Sequence, residues 1–285
     1  QSEMDLMQQD QHNMINDNKK IFFENLDGLR FLSFLSVFLF HSFYTESIEV
    51  KGNSTYVIIT TGLFGNGNLG VNFFFVLSGF LITYLLIEEK IQTGKIDVLR
   101  FWIRRVFRIW PLFYLSVAFG FFGFPVLKSF FGQTHIETAN IEYYLTFLNN
   151  FDFINQGLPD ASILGVLWSV AIEEQFYLLW PLILFTLPIK KYWIPFSLII
   201  IFSLIFRATT NSDLLNEIHT FSCISDMSIG AFGAWLIKKE KIKLAFQNLK
   251  RNQIILLYLL FIIIFFFRKE LFFDVYFLRV IERPF

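Results

Sequence analysis

The residues best placed to do chemistry sit in one apolar run. LDGLRFLSFLSVFLFHSFY (26–44) carries Asp27 and Arg30 at its start and His41 near its far end. Ionisable groups in a membrane span are costly, about 2.5–3.5 kcal/mol each at mid-span, and so are functional suspects. On a helix the step from Arg30 to His41 is about three turns, which puts both side chains on one face roughly 16 Å apart along the axis. The run is suited to presenting a base, although a lone histidine near a helix end is also an ordinary hydrogen-bonded residue. Asp27, three residues before Arg30, is placed to orient that arginine.

Three further segments carry polar groups. In FWIRRVFRIWPLFYL (101–115), Arg105 and Arg108 are three apart and neighbours on one helical face. Paired guanidinium forks suit phosphate, but basic residues at a helix start are also topology anchors. Trp110 and Tyr114 read as interface aromatics. In LGVNFFFVLSGFLITYLL (69–86), the small and polar residues Gly70, Asn72, Ser78, Gly79 and Thr83 predict close helix packing. LWSVAIEEQFYLLWPL (167–182) holds Trp168, Ser169, Glu173, Glu174, Gln175 and Tyr177, with Pro181 able to kink it. Its two carboxylates point about 100° apart, so at least one must face the bundle interior or a wet cavity. A structural ion pair with a helix-borne arginine is the alternative use for it.

Composition dictates the elements that position these groups. The chain of 285 residues is 54% hydrophobic, has 40 Phe and a mean hydropathy of +0.51, values outside ordinary soluble usage. Net charge is zero, which removes any bulk attraction to nucleic acid. The lone Cys223 permits no internal disulfide. The expected fold is all-α, a polytopic transmembrane helix bundle with about eight apolar segments: 26–45, 69–87, 109–127, 142–155, 164–188, 192–206, 219–237 and 253–267. A ninth, weak candidate lies near 271–281.

Residues 1–20, polar and rich in Gln, Asn and Asp, read as a flexible cytoplasmic tail ahead of a membrane domain over 21–285. Lys19 and Lys20, the loop 88–108 with its six basic residues, Lys190, Lys191 and the stretch 238–251 all favour the inner side. These loops share a side only if 142–155, with Glu142, Asn149, Asn150 and Asp152, is an interfacial or re-entrant element and not a crossing.

Four motifs in order resemble the membrane-bound acyltransferase 3 family over residues 25 to about 240. LDGLRFLSFLSVFLFH fits the family's LDGLR start and its Arg-x10-His spacing. GVNFFFVLSGFLIT fits GVDxFFVLSGFLI, with Asn72 where the family commonly has Asp. RRVFRIWPLFY supplies Arg-x-x-Arg as Arg105 and Arg108, then Trp110, Pro111 and Tyr114. LWSVAIEEQFYLLWP fits WSLxxExxFYxxxP, with Glu173 as its glutamate and Trp168, Ser169, Phe176, Tyr177 and Pro181 in step. The family usually continues through further C-terminal spans, whereas this sequence stops at RVIERPF, so the end of the bundle is expected to be missing.

The resemblance implies an integral protein of the bacterial inner membrane, N-terminus cytoplasmic. It would transfer an acyl group, most often acetyl, from acyl-CoA to a hydroxyl of a glycan or lipid-linked sugar, with no permanently bound cofactor and no metal. Arg105 and Arg108, with Arg30, would hold the coenzyme's phosphates. His41 would serve as general base or transient acyl carrier. Glu173 would orient or charge-stabilise the imidazole, with Asp27, Ser78, Trp168, Ser169 and Tyr177 in support. A transporter or flippase with a buried Arg/His/Glu relay is the competing reading, and it predicts an internal repeat that the sequence does not display. A scaffold that keeps the motifs for packing alone is the other.

Overall fold

The computed structural model describes residues 24–43, 47–57, 59–60 and 67–272. The tail 1–20 and nearly all of the ninth apolar segment lie outside them. The described residues form helices and turns and no strand. We label the principal helices α1 (Glu24–Ser42), α2 (Gly67–Thr93), α3 (Val98–Ala118), α4 (Ile141–Leu145), α5 (Asn149–Gln156), α6 (Trp168–Thr186), α7 (Trp193–Thr209), α8 (Thr220–Ile237) and α9 (Arg251–Phe272).

Among the described residues, five helical stretches are long and apolar enough to cross a membrane: Leu69–Thr93, Val98–Phe130, Ser162–Thr186, Ile189–Thr209 and Asp213–Ile237. This is the part of the expected eight that the fold supports. The segments at 26–45 and 253–267 are helical as α1 and α9 without joining that set. The segment 142–155 is no span: it breaks into the short helices α4 and α5, as its charge content requires.

Small residues and well-paired polar groups bring the spans together. α2 and α8 cross so closely at Gly79 and Gly230 that a Cβ on Gly79 would strike the Met227 backbone and one on Gly230 the Val76 carbonyl, the small-residue contact expected where lipid supplies no hydrophobic drive. α1 packs antiparallel on α2, with Phe40 against Gly67 and Ser33 against Gly70. α2 and α6 run parallel, because Ser78 meets Glu173, Thr83 meets Trp180 and Lys90 meets Leu184 and Leu187. The core at this junction includes Phe75, Ile82, Phe176, Trp180, Phe196 and Met227.

Basic residues collect at one end. Lys90 donates to three carbonyls at the C-terminus of α6, those of Leu184 (2.7 Å), Phe185 (3.1 Å) and Leu187 (2.6 Å), where helix carbonyls are otherwise unpaired. Lys238 pairs with Glu88, and Arg104 with Glu89. At the opposite end, Glu137 accepts four backbone N–H groups and Asp160 is held by Lys128 and His135, so the segment between α3 and α6 is a built structure. The Lys128 ammonium holds the Asp160 carboxyl below the usual carboxylate range.

Candidate active site

α6 carries both carboxylates and sends them to different neighbours. Glu173 faces α2, where Ser78 Oγ donates to it at 2.7 Å. The Tyr177 hydroxyl, one turn further along α6, lies beside the same pair. The positive charges acting on Glu173 are Arg105 and then Arg30. Glu174 faces α3 instead and accepts from Trp110 Nε1 at 2.9 Å. The 100° offset read from sequence is thus realised as one carboxylate per interface.

Arg105 is the hinge of the arrangement. Its guanidinium lies 5.4 Å from the Phe101 ring centre and 5.6 Å from that of Tyr177, a cation–π setting that holds the charge in partly dry surroundings. Its buried Nε has no hydrogen-bond partner among the described residues, and neither has the buried Oε1 of Glu174. Both residues line one cavity of 330 Å³ between α3, α6 and the turn at Thr146–Phe147, walled by Trp102, Trp110 and Tyr177. A cavity with aromatic walls, one unspent cationic donor and one unspent anionic acceptor is built to take a polar, extended ligand.

The floor of that cavity comes from the non-spanning segment 142–155. Phe147 has φ 55°, a left-handed backbone that costs a non-glycine residue about 1 kcal/mol or more. Gln175 fixes it by donating to the Phe147 carbonyl at 2.7 Å and to Asn150 Oδ1 at 2.9 Å. Thr220 donates to Gln175 Oε1 at 2.6 Å, and Asn150 Nδ2 donates back to Thr220 Oγ1 at 3.0 Å. This closed ring joins α5, α6 and α8. The buried Arg207 ties α7 to α8, donating to the Ser222 carbonyl and Ser225 Oγ.

The remaining candidates fall into two groups. Asp27 and Arg30 pair at 3.5 Å with Asp27 largely exposed, a weak link by itself. Trp168 packs edge-on against Phe75 at 6.3 Å, and Ser169 Oγ donates to the Val166 carbonyl. Arg108 is exposed, so the two arginines of the Arg-x-x-Arg motif do different work: Arg105 turns inward and Arg108 outward. His41 is exposed at the last turn of α1 and touches the Phe40 ring at 5.2 Å.

Three expectations change. Glu173 pairs with Ser78, and among the described residues it makes no ion pair with an arginine and no contact with His41, which lies beside the first turn of α2, about three helical turns from Ser78. Trp110 and Tyr114 are not mere interface aromatics, since Trp110 binds Glu174 and Tyr114 donates to the Leu145 carbonyl. Glu174, given no site role from sequence, lines the cavity. Its signal was present in the adjacency of two carboxylates in one apolar span, but sequence alone does not say which neighbour each one meets.

The profile of the acyltransferase 3 family, described as an acyltransferase domain, matches residues 23–279. The chain belongs to this family. Over 166 residues it is 36% identical to the O-acetyltransferase OatA of Staphylococcus aureus (strain NCTC 8325 / PS 47), covering 56% of this chain and 24% of that protein. Over 163 residues it is 33% identical to the peptidoglycan O-acetyltransferase OatA of Listeria monocytogenes, covering 55% of this chain and 23% of the relative. The chain thus spans about a quarter of the length of these relatives. No solved structure matches it significantly. The helices with membrane-spanning character and the family together make this an integral membrane acyltransferase domain.

Proposed function

We propose that this chain is the membrane domain of an O-acetyltransferase that moves an acetyl group from acetyl-CoA, or another acyl-CoA, to a hydroxyl of a cell-envelope glycan, with peptidoglycan as the acceptor suggested by the name of the Listeria relative. The observation that carries the reading is the cavity flanked by Arg105 and Glu174, each with a buried polar atom unpartnered among the described residues, next to the Glu173–Ser78–Tyr177 cluster. Arg105 and Arg30 supply positive charge for the donor's phosphates, and Arg108 adds charge at the exposed mouth.

His41 lies at the other end of α1 and acts on the acceptor. The acceptor oxygen loses its proton to the imidazole and forms the C–O bond to the acyl carbon. The C–S bond breaks, and the proton passes to the departing thiolate. An acyl-imidazole route uses the same atoms in two steps. The basic end that holds Lys90, Lys238 and Arg104 is the cytoplasmic one in this reading, which puts the N-terminus inside and the donor site on the inner side of a bacterial cytoplasmic membrane.

The test is acetyl transfer by the full-length protein in membranes, with acetyl-CoA and a glycan extract. Coenzyme A release and acceptor acetylation that both vanish in His41→Ala at matched expression support the reading. Transfer that is indifferent to His41, Arg105 and Arg108 overturns it.

A further inference from the structure

A second cavity, of 620 Å³, lies at the opposite end of α3 from the arginines and is used by nothing described above. It is lined by Phe121 and Phe122, by Asn140, and by Glu142 and Tyr143 of α4. We propose that it binds the sugar rings of the acceptor glycan, an inference that rests on the acyl-transfer reading and extends it to the acceptor.

The chemistry of the walls carries the argument. A pyranose presents apolar C–H faces and a rim of hydroxyl donors, and the cavity offers the complement of both. Phe122 is 66% exposed, and Phe121 is fixed beside it by an edge contact with Tyr144 at 5.3 Å. Both rings come from the π-helical turn Phe119–Gly123 that interrupts the span, and single π turns of this kind recur at functional sites. Glu142 is an exposed carboxylate, an acceptor-only group that bonds hydroxyls strongly.

Asn140 is locked by Asp152, which accepts from its backbone N–H at 2.8 Å and from its Nδ2 at 2.7 Å. Its Oδ1 has no partner among the described residues and remains to accept from a sugar. Among the described residues none that lines the cavity is basic, so the Glu142 charge disfavours a phospholipid phosphate and favours a neutral, hydroxyl-rich ring.

Position agrees with this use. Phe121 is sixteen residues beyond Arg105, about 24 Å along the helix axis. Leu164 at the start of the α6 span packs on Gly120, and Phe40 packs on the first residue of α2, so the parallel course of α2 and α6 puts His41 and this cavity at the same end of the bundle. Donor and acceptor would thus enter from opposite ends, with the base on the acceptor's side.

The experiment uses the full-length protein in nanodiscs, with a β-1,4-linked N-acetylglucosamine tetramer as probe and calorimetry or saturation-transfer NMR as the readout. Phe122→Ala and Glu142→Ala are each expected to weaken tetramer binding roughly tenfold, and Glu142→Gln less, with the melting temperature held. Donor hydrolysis stays unchanged, and in transfer assays the acceptor KM rises while kcat holds. Wild-type binding that the double variant retains, no wild-type binding at all, or displacement of the tetramer by glycerophosphocholine overturns the proposal. Loss of binding in the variants without any transfer activity upholds the site and sinks the acyl-transfer reading. Transfer with an unmoved acceptor KM does the reverse.

Discussion

Ser78 on α2 donates a 2.7 Å hydrogen bond to Glu173 on α6, so the carboxylate of the fourth motif is held by the serine of the second. Two segments ninety-five residues apart therefore form one unit. Ser78→Ala leaves a half-buried carboxylate short of a donor, a loss of about 1 kcal/mol. It is expected to lower both the melting temperature and the transfer rate, and Ser78→Thr is expected to restore part of each. Thermal unfolding of the purified protein alongside the transfer assay checks this, and a Ser78→Ala protein with unchanged rate and stability would remove the bond from the site.

Arg105 and Arg108 are expected to separate in kinetics. Arg105→Ala empties the space beside Phe101 and Tyr177 and should raise the donor KM by an order of magnitude or more, an effect of about 1.4 kcal/mol per tenfold. Arg105→Lys should not rescue it, because an ammonium does not stack as the planar guanidinium does. Arg108→Ala, at an exposed position, should have the smaller effect. Equal effects from the two alanine variants would contradict the inward and outward division of the pair.

His41→Ala is expected to abolish transfer with little change in stability. The ring is exposed at a helix end and its described contact is with Phe40, so truncation removes little packing. A large fall in melting temperature would give the histidine a structural role instead.

Acid should loosen the end of the bundle that carries Asp160. The bond from Lys128 lowers the folded-state pKa of Asp160, so the unfolded chain takes up this proton first as pH falls. The stabilisation is complete above the ordinary carboxylate pKa of about 3.9 and is lost as pH falls through the lower folded value. Asp160→Asn should remove this pH dependence and cost about 1 kcal/mol at neutral pH. Melting temperatures measured down to that range for wild type and Asp160→Asn should converge at low pH, and parallel curves would contradict the assignment.

Gln175→Ala is expected to be the most destabilising of these single changes, by about 2–3 kcal/mol, since it strips partners from the Phe147 carbonyl, Asn150 and Thr220 together. Gln175→Glu tests the same ring without a volume change.

Legibility in the sequence tracks how local each feature is. Five of the expected apolar segments follow from hydropathy as candidate spans among the described residues, while 26–45 and 253–267 are helical without joining them, and the charge of Glu142, Asp152 and their neighbours marks 142–155 as a segment that does not cross. The close approach at Gly79 is likewise readable, because small residues in an apolar span have few other uses. Partner choice is not readable: Glu173 and Glu174 are equivalent by composition, and only the packing of α2 and α3 on different faces of α6 separates them. Arg105 and Arg108 share a helical face by spacing, yet one turn of α3 carries the second past the edge of its neighbours. The Gln175 ring escapes for the same reason, since its members come from three separate segments.

The Gln175 clamp on Phe147 also sets an order of assembly. The non-spanning segment 142–155 precedes α6 in the chain, and the group that holds its left-handed turn is twenty-eight residues later. During synthesis the segment is made before its anchor, so the Phe147 carbonyl and Asn150 wait for their partner until α6 is made. The last of the ring's partners, Thr220, arrives later still. A chain stalled before residue 175 would lack the group that holds the Phe147 turn, and one stalled between 175 and 220 would still lack Thr220, the partner that closes the ring.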